Sequence, residues 1–144
     1  MDGNGRWAKQ KGKPRVFGHQ NGAQAVRLTI EAAAELGVKY LTLYAFSAEN
    51  WNRPKREVDA LMKLLVATIE SELDKLIKNN IKLQIIGNIS LLPQAVKSKI
   101  SYAQEKTAHC NGLTLIVALS YGSRWEILEA TKKMALDAIN NNIS

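Results

Sequence analysis

The sequence has few of the residues that mark secreted or membrane-spanning proteins. It contains one cysteine, Cys110, in 144 residues. A single cysteine excludes an internal disulfide and is typical of proteins from a reducing compartment. No apolar run approaches the roughly 20 residues that a membrane-spanning helix needs, and no secretory signal is visible. These absences predict a cytoplasmic protein.

Several common catalytic motifs are also missing. The sequence has no Walker-type glycine loop and no dinucleotide fingerprint, and its two histidines suggest no nucleophile–histidine–acid set. A strong positive charge is present instead, with 20 Lys and Arg against 13 Asp and Glu, a net charge of +7. Such a charge suits nucleic acid, an anionic membrane surface or a phosphorylated small molecule, and it does not distinguish among them.

The opening segment combines groups that bind phosphate. A carboxylate, two glycines and an arginine occur in the order Asp2-Gly3-Asn4-Gly5-Arg6-Trp7. Glycines let backbone N–H groups approach an anion, arginine binds it with several donors, and an aspartate can hold a bridging cation. Arg15 and His19 follow, and each could be an ordinary surface or structural residue. The glycines near them favour an anion site.

A second polar segment follows an apolar run at residues 40–46. It reads Ser47-Ala48-Glu49-Asn50-Trp51-Asn52-Arg53-Pro54. Open α/β sheets bind their ligands at the carboxyl ends of the strands, so this segment is a candidate ligand site. The alternative is a helix cap, for which Asn52 is suitable. Both interpretations can hold, because a cap would fix the neighbouring side chains.

Periodicity predicts alternating helices and strands after a basic loop at residues 9–15. The predicted helices are 20–36, a long one from Pro54, 94–108 and 124–139; the predicted strands are 38–46, 81–86 and 113–119. This alternation indicates one α/β domain over residues 1–144, an open and mainly parallel sheet with helices on both faces. The long helix has an apolar stripe from Val58 to Leu76. The stripe is first of all core, but its length leaves room for an apolar cavity.

At these motifs the sequence resembles the cis-prenyltransferases. The opening segment, the basic element Arg15-Val16-Phe17-Gly18-His19 and the segment from Phe46 to Pro54 are similar to three motifs of that family. The resemblance implies a Mg²⁺-dependent transferase that adds isopentenyl diphosphate repeatedly to farnesyl diphosphate. Its product would be a long cis-polyprenyl diphosphate, undecaprenyl diphosphate, from which the cell-wall lipid carrier is made.

The resemblance also implies roles for individual residues. Asp2 would coordinate Mg²⁺ and assist departure of the diphosphate. The allylic diphosphate would be held by Gly3, Asn4, Gly5, Arg6, Trp7, Arg15 and His19. Asn50 would take part in proton removal, beside Ser47, Ala48, Glu49, Trp51 and Arg53. Because a neutral amide is a poor base, we interpret Asn50 as an orienting group. The helix with the apolar stripe would line a tunnel for the growing chain.

The sequence departs from the family pattern in two ways. Ala48 stands where family members usually have Ser or Thr. The family's first strand and its C-terminal part, with an arginine-rich block, a second metal ligand and most of a homodimer interface, are not in these 144 residues. We therefore expect a fragment that is inactive alone, from a homodimeric protein whose product enters the membrane at its inner surface.

A rival hypothesis is a non-catalytic basic binding protein or an accessory subunit on the same scaffold. Accessory subunits of this kind lose the aspartate of the opening motif, and Asp2 is present. Nucleic-acid binding would favour a basic stripe with exposed stacking aromatics, and no such stripe is evident. We therefore expect an enzyme and no nucleic-acid partner.

Overall fold

Three parallel strands form the centre of the fold in a computed structural model that describes residues 3–140. The strands are β1 (Tyr40–Ser47), β2 (Lys82–Ile86) and β3 (Thr114–Tyr121), and their order in the sheet is β1-β3-β2. β3 pairs in parallel with both neighbours. The predicted α/β class with an open parallel sheet is confirmed.

Five helices surround or follow the sheet. They are α1 (Asn4–Gln10), α2 (Arg15–Glu35), α3 (Lys55–Lys78), α4 (Gln94–Thr107) and α5 (Ser123–Ile139). A proline immediately precedes each of α2, α3 and α4, a position at which the missing N–H removes no helical hydrogen bond. Short 3₁₀ turns occupy Ala48–Asn52 and Ile89–Leu91.

The first two helices correct the sequence prediction. The opening segment and part of the expected loop at residues 9–15 form α1, and α2 begins at Arg15 rather than near residue 20. The apolar periodicity missed these turns because they pack through glycines. A Cβ on Gly18 would overlap the Asn4 carbonyl, and a Cβ on Gly22 would overlap the Asn4 side chain. α1 therefore lies directly against α2.

The core lies between the sheet and the helices α2, α3 and α4. One buried cluster joins Ala33 of α2 and Leu76 of α3 to Leu83 and Leu115 of the sheet. α4 runs along β2, one of the two edge strands, where the buried Thr107 Oγ1 accepts a hydrogen bond from the Leu83 backbone N–H at 3.1 Å. The helices that share the core thus cover one face and one edge of the sheet.

The opposite face is more open. Tyr40 and Tyr44 of β1 are 71% and 56% exposed. The sequence predicts helices on both faces, and within residues 3–140 the last helix, α5, buries none of its residues. None of the helices in this part of the chain is long and apolar enough to cross a membrane.

Two irregularities occur where β1 and β3 approach their carboxyl ends. Tyr44 pairs with Ala118 and Phe46 with Leu119, so Ala45 is an extra residue in β1. Ser47 then pairs with Tyr121, which leaves Ser120 as an extra residue in β3, with a φ of 50°. Bulges of this kind redirect side chains near functional sites. Here the extra residue Ala45 brings Phe46 to the core face, beside Leu119 and next to the predicted site.

Candidate active site

A cavity of about 900 Å³ lies between α2, α3 and the sheet. Its floor includes Leu43 of β1 and Val117 of β3, and its walls include Ile30 of α2 and Leu65 and Ile69 of α3. These residues also pack against the buried core clusters. The apolar stripe of α3 is therefore both core and cavity wall, as its length suggested.

Most of the site residues predicted from the sequence line one end of this cavity. They are Gly3, Asn4, Gly5, Arg6, Arg15, His19, Ser47, Asn50 and Arg53. The fold brings the opening segment and the segment after β1 together, because α1 packs on α2 and Arg15 of α2 shares the Glu57 carboxylate with Arg53. We call this end the cationic mouth.

Four predicted site residues are not among the lining residues of this cavity in the described part of the chain. Trp7 stacks on Phe17 with ring centroids 5.9 Å apart. Ala48 and Glu49 belong to the 3₁₀ turn after β1. Hydrogen bonds from its own backbone N–H and from the Ser47 hydroxyl lower the pKa of Glu49, with a smaller contribution from Arg124. Their predicted roles stay predictions.

Trp51, the fourth of these residues, fixes the 3₁₀ turn rather than lining the cavity. Its Nε1 donates a hydrogen bond to the buried Ser120 Oγ at 2.9 Å. Its ring packs edge-on against Phe46, with centroids 5.0 Å apart. Through these contacts Trp51 attaches the turn that carries Asn50 to the central strand.

Asn50 caps the end of β1. Its Oδ1 accepts a hydrogen bond from the Ser47 backbone N–H at 3.2 Å, which leaves the Nδ2 group as the donor at the cavity. An amide held in this way can orient a substrate oxygen and cannot act as a base. The cap predicted at Asn52 is wrong, because Pro54 precedes α3 without a side-chain cap hydrogen bond. Asn50 caps the turn instead, so one residue of this segment serves both as a cap and as a lining residue of the site.

Glu57, in the first turn of α3, belongs to the mouth but is not among the site residues predicted from the sequence. Its Oε1 lies 2.9 Å from Arg53 Nη1, 3.4 Å from Arg15 Nε and 3.8 Å from His19 Nε2. One carboxylate oxygen therefore lies within 4 Å of three basic side chains, two from α2 and one from the segment before α3. The sequence does hold a signal for this residue: Glu57 follows Arg53 by four positions, a spacing at which opposite charges pair on a helix.

His19 is close to Glu57, but its position favours the neutral ring. Burial is the main cause that lowers the pKa of His19, Arg53 and Arg15 lower it further, and Glu57 partly opposes them. The buried Nε2 atom has no hydrogen-bond partner among the described residues, because 3.8 Å to Glu57 is too long for one. This nitrogen is available to a ligand that enters the mouth.

The predicted metal ligand Asp2 lies outside the described residues. Within residues 3–140, no group of three or more His, Cys, Asp or Glu side chains could hold a metal ion. The carboxylate at the mouth, Glu57, is already shared by three basic groups. The mouth residues in this range therefore suit an anion, and the prediction of Mg²⁺ depends on Asp2.

Comparisons with known proteins agree with this geometry. The family model described as "Putative undecaprenyl diphosphate synthase" matches residues 1–144. A ditrans,polycis-undecaprenyl-diphosphate synthase, (2E,6E)-farnesyl-diphosphate specific, from Vibrio parahaemolyticus is 51% identical over 143 residues, which are 99% of this chain and 57% of that protein. A relative of the same name from Haemophilus ducreyi is 54% identical over 94% of this chain and 56% of its own length. The chain thus spans a little over half the length of these relatives.

Solved structures show the same likeness. The lavandulyl diphosphate synthase of Lavandula x intermedia, determined in complex with dimethylallyl diphosphate, has a TM-score of 0.96 and 35% identity, covering 99% of this chain and 61% of that one. A probable undecaprenyl diphosphate synthase from Campylobacter jejuni has a TM-score of 0.76 and 38% identity, covering 86% of this chain and 58% of that one. With the family model matched over the whole sequence, the chain belongs to the undecaprenyl diphosphate synthase family of cis-prenyltransferases.

Proposed function

We propose that this chain is part of the catalytic domain of a Mg²⁺-dependent cis-prenyltransferase that condenses isopentenyl diphosphate with farnesyl diphosphate to make undecaprenyl diphosphate. The observation that carries the proposal is a single cavity with a cationic mouth and, behind it, a body lined largely by apolar side chains of α2, α3 and the sheet. A prenyl diphosphate has the same division, with a charged head and a long hydrocarbon chain. The names of the relatives support the same substrates.

The mouth supplies the groups that a diphosphate needs. Arg15 and Arg53 approach the same Glu57 oxygen, at 3.4 and 2.9 Å, so their guanidinium groups already converge. Arginine binds phosphate oxygens with several fixed donors. We propose that the diphosphate replaces part of this contact with Glu57 and also accepts hydrogen bonds from the backbone around Gly3, which precedes α1 with a φ of 81°.

The apolar body would hold the growing hydrocarbon chain. Lining residues of α3 extend from Leu61 to Leu76, which is about 22 Å of helix at a rise of about 1.5 Å per residue. Each buried CH₂ group contributes about 0.8 kcal/mol, so each added five-carbon unit that stays inside contributes about 3–4 kcal/mol to binding. Elongation would therefore continue while the cavity has room.

The reaction requires three changes at the mouth. The C–O bond between the allylic carbon and its diphosphate breaks, a C–C bond forms to isopentenyl diphosphate, and the new adduct loses a proton. We propose that Arg15, Arg53 and His19 stabilise the departing diphosphate, because fixed donors that match developing charge lower the barrier. Asn50 Nδ2 would orient the second substrate.

The metal would act on the same leaving group. Mg²⁺ prefers carboxylate and phosphate oxygens, so Asp2 together with the substrate's diphosphate would supply its ligands. When bound, the ion would neutralise the charge that develops on the departing diphosphate. Asp59 on α3 is exposed and offers a matched control, since it is not a lining residue of the cavity.

Partners and location follow from the same proposal. The long product would partition into the membrane, which places the enzyme at its inner surface. A homodimer is proposed from the family resemblance. Nucleic acid is not a proposed partner, because the three basic groups around Glu57 converge on one oxygen rather than forming a stripe.

The test is chain elongation by the full protein that contains this chain. It is incubated with farnesyl diphosphate, radiolabelled isopentenyl diphosphate and Mg²⁺, and products are separated by chain length. We expect long prenyl products, lost by orders of magnitude in Asp2→Ala and retained in Asp59→Ala. Farnesyl diphosphate binding without elongation in the wild-type protein would refute the enzyme and favour the accessory subunit.

A further inference from the structure

One ion pair crosses the cavity and has no role in the chemistry proposed above. Arg27 of α2 and Glu72 of α3 are both lining residues, and Arg27 Nη2 lies 2.5 Å from Glu72 Oε1. The pair is formed between side chains 45 positions apart in sequence. It therefore connects the two helices that form opposite walls of the cavity.

The pair stands partway along the cavity, far from the mouth. At about 1.5 Å per residue, Glu72 lies about 22 Å along α3 from Glu57. Lining residues continue beyond it, to Ala34 and Glu35 on α2, to Leu76 on α3 and to Asn79 just after α3. A hydrocarbon chain that grows from the mouth would thus meet the pair before it reaches the end of the cavity.

The surroundings of the pair indicate a contact that can open. Arg27 Nη1 donates to Gln24 Oε1 at 3.2 Å, but the buried Arg27 Nε has no hydrogen-bond partner in the described range. Glu72 also receives Lys75 Nζ at 3.4 Å. The bridge is therefore a single charge-assisted contact rather than a two-bond fork, with one guanidinium N–H unsatisfied.

We propose that the Arg27–Glu72 bridge is a clasp that holds α2 and α3 at a fixed separation and so limits the length of prenyl chain that the cavity accepts. This inference rests on the proposed function. A growing chain fits beneath the clasp until its bulk requires the helices to separate, and the bridge opposes that separation. Loss of the bridge should allow the walls to move apart and elongation to continue.

Product length tests the clasp. In the full protein, Glu72→Gln and Arg27→Gln should each shift the main product to longer chains by at least one five-carbon unit. The exchanged variant Arg27→Glu with Glu72→Arg should return the length toward that of the wild type. Glu70→Gln is the matched control, because it breaks a neighbouring ion pair of α3, between Glu70 and Lys99 of α4, whose side chains are 51% and 47% exposed.

Unchanged product length in both single variants, with an active wild type, would overturn the clasp. An equal shift in Glu70→Gln would also overturn it, since a general effect on α3 would then suffice. A wild-type protein that makes no prenyl chains would instead refute the proposed function.

A second measurement does not depend on activity. Spin labels at Ala32 on α2 and Lys78 on α3, both exposed, report the distance between the helices in double electron–electron resonance spectroscopy. We expect a longer or broader distance distribution in Glu72→Gln than in the same labelled protein with Glu72 intact. Identical distributions would show that the bridge does not hold the walls, whatever the enzyme makes.

Discussion

The hydrogen bond between Trp51 and Ser120 allows a quantitative prediction about what fixes the site. Trp51→Phe removes the indole donor, which lies 2.9 Å from Ser120 Oγ, and keeps an aromatic ring for the edge contact with Phe46. Ser120 is 1% exposed, so water cannot replace the lost donor. A buried polar group that loses its partner costs about 1–3 kcal/mol, and we expect the free energy of unfolding to fall by that amount.

A double-mutant cycle separates this bond from the loss of ring volume. Ser120→Ala should cost a similar amount, because it leaves the indole N–H of the half-buried Trp51 without an acceptor. With Trp51→Phe and Ser120→Ala combined, neither unpaired group remains, so the total loss should be smaller than the sum of the single losses by about 1–2 kcal/mol.

The assay is urea denaturation of the full protein, followed by circular dichroism, for the wild type and the three variants. If the two single losses add to within about 0.5 kcal/mol, the bond contributes nothing and our account of the turn is wrong. If the coupling is found, elongation should also be slower in both single variants, because Asn50 and Arg53 are positioned by the same turn.

Four further outcomes follow from the site. Leu65→Trp should shorten the products, because Leu65 lines the cavity. Ala67→Trp should leave them unchanged, because Ala67 is exposed and is not a lining residue. Equal product lengths in the two variants would show that α3 does not determine chain length. Arg53→Lys should weaken inorganic diphosphate binding in calorimetry, since lysine lacks the planar fork, and unchanged affinity would contradict a bidentate contact. Asn50→Ala should lower kcat for elongation more than it weakens farnesyl diphosphate binding, and equal losses would indicate a structural role alone. Burial lowers the pKa of His19 below 6.5, so as the pH falls the imidazole is protonated in the unfolded chain before it is protonated in the folded protein. The free energy of unfolding should therefore decrease as the pH drops below about 6.5. In urea denaturation, His19→Gln should show a weaker pH dependence of this free energy.

The sequence was sufficient for the helices and strands that bury an apolar stripe. The start of α3 and both ends of β3 were predicted to within two residues. Pro54 precedes α3, glycines lie near both ends of β3, and the apolar residues of both elements face the core. α1 and the start of α2 were missed for the opposite reason. α1 packs against α2 at Gly18 and Gly22. Glycine has no side chain, so this contact produces no periodic pattern of apolar residues in the sequence.

The site divides in the same way. Local motifs predicted the residues of the mouth, since each motif binds an anion through neighbours in the sequence. Glu57, Arg27 and Glu72 could not be found so directly, because their roles depend on which helices face each other across the cavity. The bulges at Ala45 and Ser120 likewise depend on how β1 pairs with β3. These strands are distant in sequence, so their pairing cannot be predicted from a local pattern.

Those paired bulges also bear on how the length of this chain could change during evolution. Ala45 adds one residue to β1 and Ser120 adds one to β3, so the strands return to register when both are present. A deletion at Ala45 alone would leave the extra residue of β3 without its counterpart, so Ser47 would lie opposite Ser120 instead of Tyr121 and the turn after β1 would shift by one position. Deletion of both residues would restore the pairing. Insertions and deletions at these two positions, 75 residues apart in the printed sequence, should therefore be inherited together or not at all.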